Sequence, residues 1–292
     1  MKKYIPHLIL LFIMIVIIEL YAVTQGINYS IKTSTYDSIK DLKNYKPLGT
    51  ANKPVGKTLI ISVFASDLNT SWDFTKESDV NTKNDCLNSL SIAAEYLTNE
   101  IKKFASNSEF LYDFNKYSDL KYETEFDKNL VVEDGQNYSY QKKYIDKNID
   151  ELKLLEKYNA DNIIYIFFYN TPYSNTVKPR TFRHMKNNYV DKEIINLYVK
   201  FLDKYITSPS TYAHEILHTF GAYDLYYANN GITNDYVSHL SSIKSNDIMY
   251  TVTSSKKITN SFSELDAYYV GLIDKSSEQE KWNLTLSEHL GT

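Results

Sequence analysis

An α/β fold built on a mixed or parallel sheet is predicted by three features of the sequence. These are a β-branched apolar run at residues 58–64, a stronger run at 162–169, and apolar residues at helical spacing around them. The first run (Thr-Leu-Ile-Ile-Ser-Val-Phe) has the composition of a strand buried on both faces. Leu87, Leu90, Ile92, Ala93, Tyr96, Leu97 and Ile101 then recur at helical spacing, which predicts a helix over about 85–104. Residues 110–112 read as a short strand and 113–140, dominated by charge, Asn, Ser and Gly, as a long surface loop. Tyr144, Ile145, Ile149, Leu152, Leu154 and Leu155 support a second helix over 144–158, followed by 162–169 as the central strand. Residues 170–192 read as irregular and 194–201 as a further strand, so strands and helices alternate as in a sheet covered by helices.

At 292 residues, 43% hydrophobic and 23% charged, the chain has enough apolar material for a large core and is not a disordered polymer. Net charge is −4 and the lysines are scattered, so no electrostatic footprint for nucleic acid is present. The single cysteine, Cys86, excludes an intramolecular disulfide. It sits at the start of an apolar-periodic helix and reads as a buried structural thiol.

Lys2 and Lys3 precede an unbroken apolar run over residues 8–18. This pattern predicts export, with residues 1–26 as an uncleaved signal anchor or a cleaved signal peptide, and the remainder outside the cytoplasm. Residues 27–56, polar and carrying Pro47, Gly49, Pro54 and Gly56, read as a stalk. The folded domain is expected over 57–275, with 276–292 as a C-terminal tail. Contact with a membrane is expected through the N-terminal segment alone.

One stretch carries chemistry. His214, Glu215 and His218 form an HExxH pattern that continues through Gly221 to Asp224. On a helix the two histidines stand one turn apart on one face, where both imidazoles reach a single metal ion, with Glu215 beside them as general base. Ser208 and Pro209 predict the start of that helix, with a capping hydroxyl and a proline at the first helical position. Gly221 supplies a left-handed residue at its end, and the turn then brings Asp224 back as the third ligand. Two nitrogens and one oxygen leave a position open on a tetrahedral zinc, as catalytic sites do. Competing third ligands are Glu264 and His239, both downstream.

The HExxHxxGxxD stretch resembles the zinc signature of the metzincin metallopeptidases, in the form where aspartate replaces the third histidine. Asp247, Ile248, Met249 and Tyr250 resemble that clan's methionine turn, and residues 263–269 the helix that follows it, with Leu265, Tyr269 and Leu272 packing behind the site. The resemblance implies a metzincin-like mixed twisted sheet with two packing helices, an active-site helix and a small C-terminal subdomain. It also implies one catalytic Zn2+ held by His214, His218 and Asp224, and a peptide or protein substrate. One departure is clear: Tyr250 follows Met249 directly and position 251 is threonine, so no catalytic tyrosine is assigned. Substrate is expected to bind extended along a sheet edge, either at 194–201 or at the strand before it. The expectation is thus a zinc-dependent endopeptidase; the alternatives are a surface adhesion protein with non-catalytic zinc, or a zinc-dependent cell-wall amidase.

Overall fold

A computed structural model describes residues 53–104, 107–131, 137–173, 178–182, 191–201, 205–229 and 231–284. The expected signal segment and nearly all of the expected stalk lie outside the described residues. No helix among the described residues is long and apolar enough to cross a membrane.

The architecture is mixed α/β with a mainly parallel sheet. Strands β1 (Gly56–Ser66), β2 (Ser108–Leu111), β3 (Lys121–Glu125), β4 (Asn162–Tyr173), β5 (Arg180–Phe182), β6 (Ile194–Phe201) and β7 (Tyr205–Ile206) form one sheet. Its order is β2-β1-β4-β6-β5, with β3 also pairing β1 and β7 pairing β6. The pairs made by β1, and that between β4 and β6, are parallel; β5 and β7 run antiparallel to β6. The helices are α1 (Glu77–Lys102), α2 (Tyr138–Asn148), α3 (Glu151–Tyr158), α4 (Pro209–Thr219), α5 (Asn234–Ser242), α6 (Glu264–Tyr269) and α7 (Ser277–Trp282).

Two hydrophobic clusters divide the sheet's faces, following the period-2 alternation of a strand. Ile60 and Phe64 of β1, Ile164, Ile166 and Phe168 of β4, and Ile195, Leu197 and Val199 of β6 pack with α1 and α4 on one face. Leu59, Ile61 and Val63, with Ile163, Tyr165, Phe167, Ile194 and Tyr198, pack with α2 and α3 on the other. Each fully buried Leu, Ile, Val or Phe contributes roughly 1.5–3 kcal/mol of transfer free energy. That is why a continuous apolar run, rather than an alternating one, marks these strands in the sequence. Cys86 lies wholly buried on α1, where burial pushes its thiol up to about 12. The cysteine packs in the same apolar cluster as α4 and is inert as a ligand.

Several expectations are corrected. Helix α1 begins at Glu77, eight residues before the start expected from the periodic apolar positions, because its first turns are polar and half-exposed. The segment 113–140 is not all loop: β3 pairs in parallel with β1 from Ser62↔Lys121 to Ser66↔Glu125. Its sequence, KYETE, places only partly buried and exposed residues on the strand, so no apolar period marks it. The helix expected over 144–158 is two helices, broken where Ile149 turns extended and Asp150 caps α3 by accepting from the Lys153 N–H. Neither β4 nor β6 is at the sheet edge; β5, from the segment read as irregular, is the edge strand on that side. Helix α7 falls within the segment read as a tail, and Leu284 behind it is fully buried.

Candidate metal centre

The central helix, α4, is buried along its whole length. Ser208 enters it extended and Pro209 occupies the first turn as expected, but the Ser208 hydroxyl pairs with Thr211 Oγ1 at 3.3 Å instead of capping a backbone N–H. Tyr212, Ile216, Thr219 and Phe220 are all buried, with the Tyr212 ring 6.2 Å from Phe168 of the central strand.

The end of the helix sets the direction in which the chain leaves. Gly221 N–H donates to the His218 carbonyl (3.0 Å) and Ala222 N–H to the Leu217 carbonyl (3.1 Å), the paired bonds of a Schellman motif, with Gly221 at φ 103°. A side chain at that φ is strained. The chain so reversed presents the Ala222 carbonyl to His218 Nδ1 at 2.8 Å and brings Asp224 under the helix. Gly221→Ala is expected to lower stability by ~1–3 kcal/mol. Denaturant unfolding checks this; an unchanged midpoint would remove the glycine from the site's construction.

Three ligand atoms converge. His214 Nε2 and His218 Nε2 are 3.1 Å apart, and Asp224 Oδ1 is 3.2 Å from each. Among the described residues this is the cluster of histidine, cysteine and carboxylate side chains able to hold a metal ion. Each imidazole has its far nitrogen committed: His214 Nδ1 lies 2.9 Å from the Ile248 carbonyl and His218 Nδ1 2.8 Å from that of Ala222. Carbonyls only accept, so both Nδ1 atoms carry the proton and both Nε2 lone pairs face Asp224. Three acceptors then point at one another, and buried Asp224 Oδ1 has no donor.

Only a cation satisfies that arrangement. Tetrahedral zinc with N and O ligands at about 2.0–2.1 Å places its ligands about 3.3–3.4 Å apart. The observed 3.1–3.2 Å separations match that spacing closely, so the residues fit such an ion. A proton is the competing cation. Burial pulls the His214 imidazole down, but its bond to Asp224 and the charges of Glu215 and Asp224 outweigh this and push it up to about 9. Burial likewise works against ionised Asp224, yet the two imidazoles hold its carboxyl far below the usual carboxylate range.

Glu215, buried beside the cluster, accepts from the Thr181 hydroxyl at 2.6 Å through Oε2. Thr181 lies on edge strand β5, so the sheet edge and the candidate base are in direct contact. Tyr227 donates to Asp224 Oδ2 at 3.3 Å, and the half-exposed Tyr226 ring stacks 6.5 Å from His214. Met249 is fully buried, next in the chain to Ile248; its N–H donates to Asp247 Oδ1 (2.7 Å) and its carbonyl accepts from Leu225 N–H (2.9 Å). Leu265 and Tyr269 are buried in the same apolar cluster as Met249, the Tyr269 ring 5.1 Å from Tyr223.

The rival ligands stand elsewhere. Glu264 accepts from the Ser277 hydroxyl at 2.7 Å, and His239 stacks on Trp282 at 4.8 Å. Thr181, Tyr226 and the carbonyls of Ile248 and Ala222 carry no mark in the sequence. A three-residue strand has no measurable period, and backbone acceptors leave no side-chain signature.

No family model matches the chain, and no curated protein matches it.

Proposed function

We propose that this chain is an exported zinc-dependent endopeptidase of metzincin type, its metal held by His214, His218 and Asp224, with Glu215 as general base. The observation that carries the reading is the triangle of three ligand atoms with 3.1–3.2 Å sides, flanked by a carboxylate that is not part of it. A structural site has no need of that carboxylate, which favours an enzyme over an adhesion protein. Buried Met249 and the later helix α6 fit the methionine turn and following helix of that clan's C-terminal part.

When bound, zinc supplies a Lewis acid that acidifies water and polarises the scissile carbonyl. The remaining steps belong to the chain. Glu215 takes a proton from the attacking water and returns it to the departing amine, two transfers that one carboxyl can perform. Thr181 holds Oε2, fixing the carboxylate's orientation. Among the described residues β5 pairs only with β6, and its other side would take an extended peptide, which is thereby laid next to Glu215. Peptide bonds in an extended chain suit this edge better than the branched amides of cell wall.

The test is cleavage of a peptide library by the residue 46–292 portion, purified with one equivalent of zinc and read by mass spectrometry. Discrete cleavage products that disappear on chelation are expected. Zinc bound without cleavage would favour the adhesion reading.

A further inference from the structure

Two carboxyl groups, Asp247 and Asp266, are buried close enough in the protein interior for each to feel the other's charge. Asp247 is 5% exposed and Asp266 fully buried, and neither forms an ion pair among the described residues. Asp266 Oδ2 accepts from Ser263 N–H at 2.9 Å in the capping box of α6, while its Oδ1 has no protein donor. Asp247 Oδ1 accepts the Met249 N–H at 2.7 Å, and the bridge Asp247↔Ser261 with the Ile248 N–H to Ser261 carbonyl bond (2.9 Å) sets this turn against the residues that lead into α6, within electrostatic reach of Ser263 and Asp266. Two adjacent buried carboxylate charges with no cation beside them are untenable.

We infer that Asp247 and Asp266 hold one proton between them and act as a positioning clasp for the metal ligands. Asp266, as the neutral acid, donates to the Asp247 carboxylate, which gives its orphaned oxygen a role. Asp247 in turn fixes the turn at 247–250 through the Met249 N–H. That turn reaches both arms of the cluster: the Ile248 carbonyl orients His214, and the Met249 carbonyl holds Leu225 beside Asp224. The titratable groups facing the pair are Tyr96 from α1, Tyr236 from α5 and Tyr269 from α6, all neutral and all pushed up by burial. Burial raises both carboxyls, Asp266 the more strongly, with the Asp247 charge adding to it.

A shared proton fixes the sign of the pH dependence. An unfolded aspartate loses its proton near pH ~4, whereas native Asp266 keeps it. The native state then binds more protons, so stability falls as pH rises above ~4, until Asp266 itself ionises. Asp266→Asn keeps the shape and a donor but cannot ionise. Unfolding of both proteins in denaturant between pH 5 and 8 is therefore expected to show the wild-type unfolding constant rising about tenfold per pH unit relative to the variant. A ratio constant with pH overturns the shared proton. Should the variant not fold, infrared spectra of the wild type at pH 7 decide the point: the carbonyl stretch of a protonated, buried carboxylic acid is expected, and its absence overturns the clasp.

The positioning role rests on the proposed zinc site and has its own readout. Asp247→Ala is expected to weaken zinc binding about 10–100-fold by competition with a chelator, while Asp266→Asn stays within a few-fold of wild type. Equal affinity in Asp247→Ala and wild type overturns the positioning role. A wild type that binds no zinc fails the functional reading and the positioning role with it, and leaves the pH series to decide the proton.

Discussion

Glu215→Ala is expected to retain one equivalent of zinc and to lose peptide cleavage by about 10²–10⁴-fold in kcat/KM, the range general acid–base catalysis supplies. The separation of the two effects is what the geometry requires. Glu215 points its Oε2 at Thr181 and takes no part in the triangle of His214, His218 and Asp224. Removing it should leave the ligand spacing of 3.1–3.2 Å intact. Because the same carboxyl serves both proton transfers, the loss should fall on kcat and spare KM. Equal activity in the variant would remove Glu215 from the mechanism, whereas a parallel loss of zinc would make it a ligand or a fold determinant.

Asp224→Ala should lose both metal and activity. Residues that only orient a ligand typically change metal affinity about 10–100-fold, so loss of a ligand is expected to exceed ~100-fold. The variant also leaves the His214 and His218 lone pairs 3.1 Å apart with no carboxylate to balance a cation. Zinc titration against a chelator, with activity measured in parallel, checks the result. Retained affinity would transfer the third position to another group, against the placement of Glu264 and His239 on Ser277 and Trp282.

The sequence was legible where burial writes a period. Residues 58–64, 162–169 and 194–201 became β1, β4 and β6 because strands covered on both faces need apolar side chains at nearly every position. The cluster of His214, His218 and Asp224 was legible for a different reason: helix geometry fixes His214 and His218 one turn apart, and Gly221 at φ 103° fixes the reversal that returns Asp224. The features that stayed hidden depend on partners far away in sequence. Strand β3 is held by β1, a distant segment of the chain, and its KYETE sequence shows no period. Strand β5 spans only Arg180–Phe182, too short for any pattern, yet it forms the sheet edge and supplies Thr181 to Glu215. The break between α2 and α3 hangs on the Asp150 cap, a local competition that apolar spacing does not register. The pairing of Asp247 with Asp266 joins a turn to a helix cap further along the chain, and no one-dimensional signal announces that two acids share a buried site.

The central claim is that two imidazoles and one carboxylate share a single zinc ion. X-ray absorption at the zinc edge of the loaded protein tests it directly. The expected spectrum shows a first shell of nitrogen and oxygen only, at about 2.0–2.1 Å, with the outer-shell scattering of two histidine rings. In Asp224→Ala, loaded at zinc concentrations high enough to overcome its weakened affinity, the carboxylate contribution should vanish. A first shell without two imidazoles, or a wild-type spectrum unchanged by Asp224→Ala, would contradict the account.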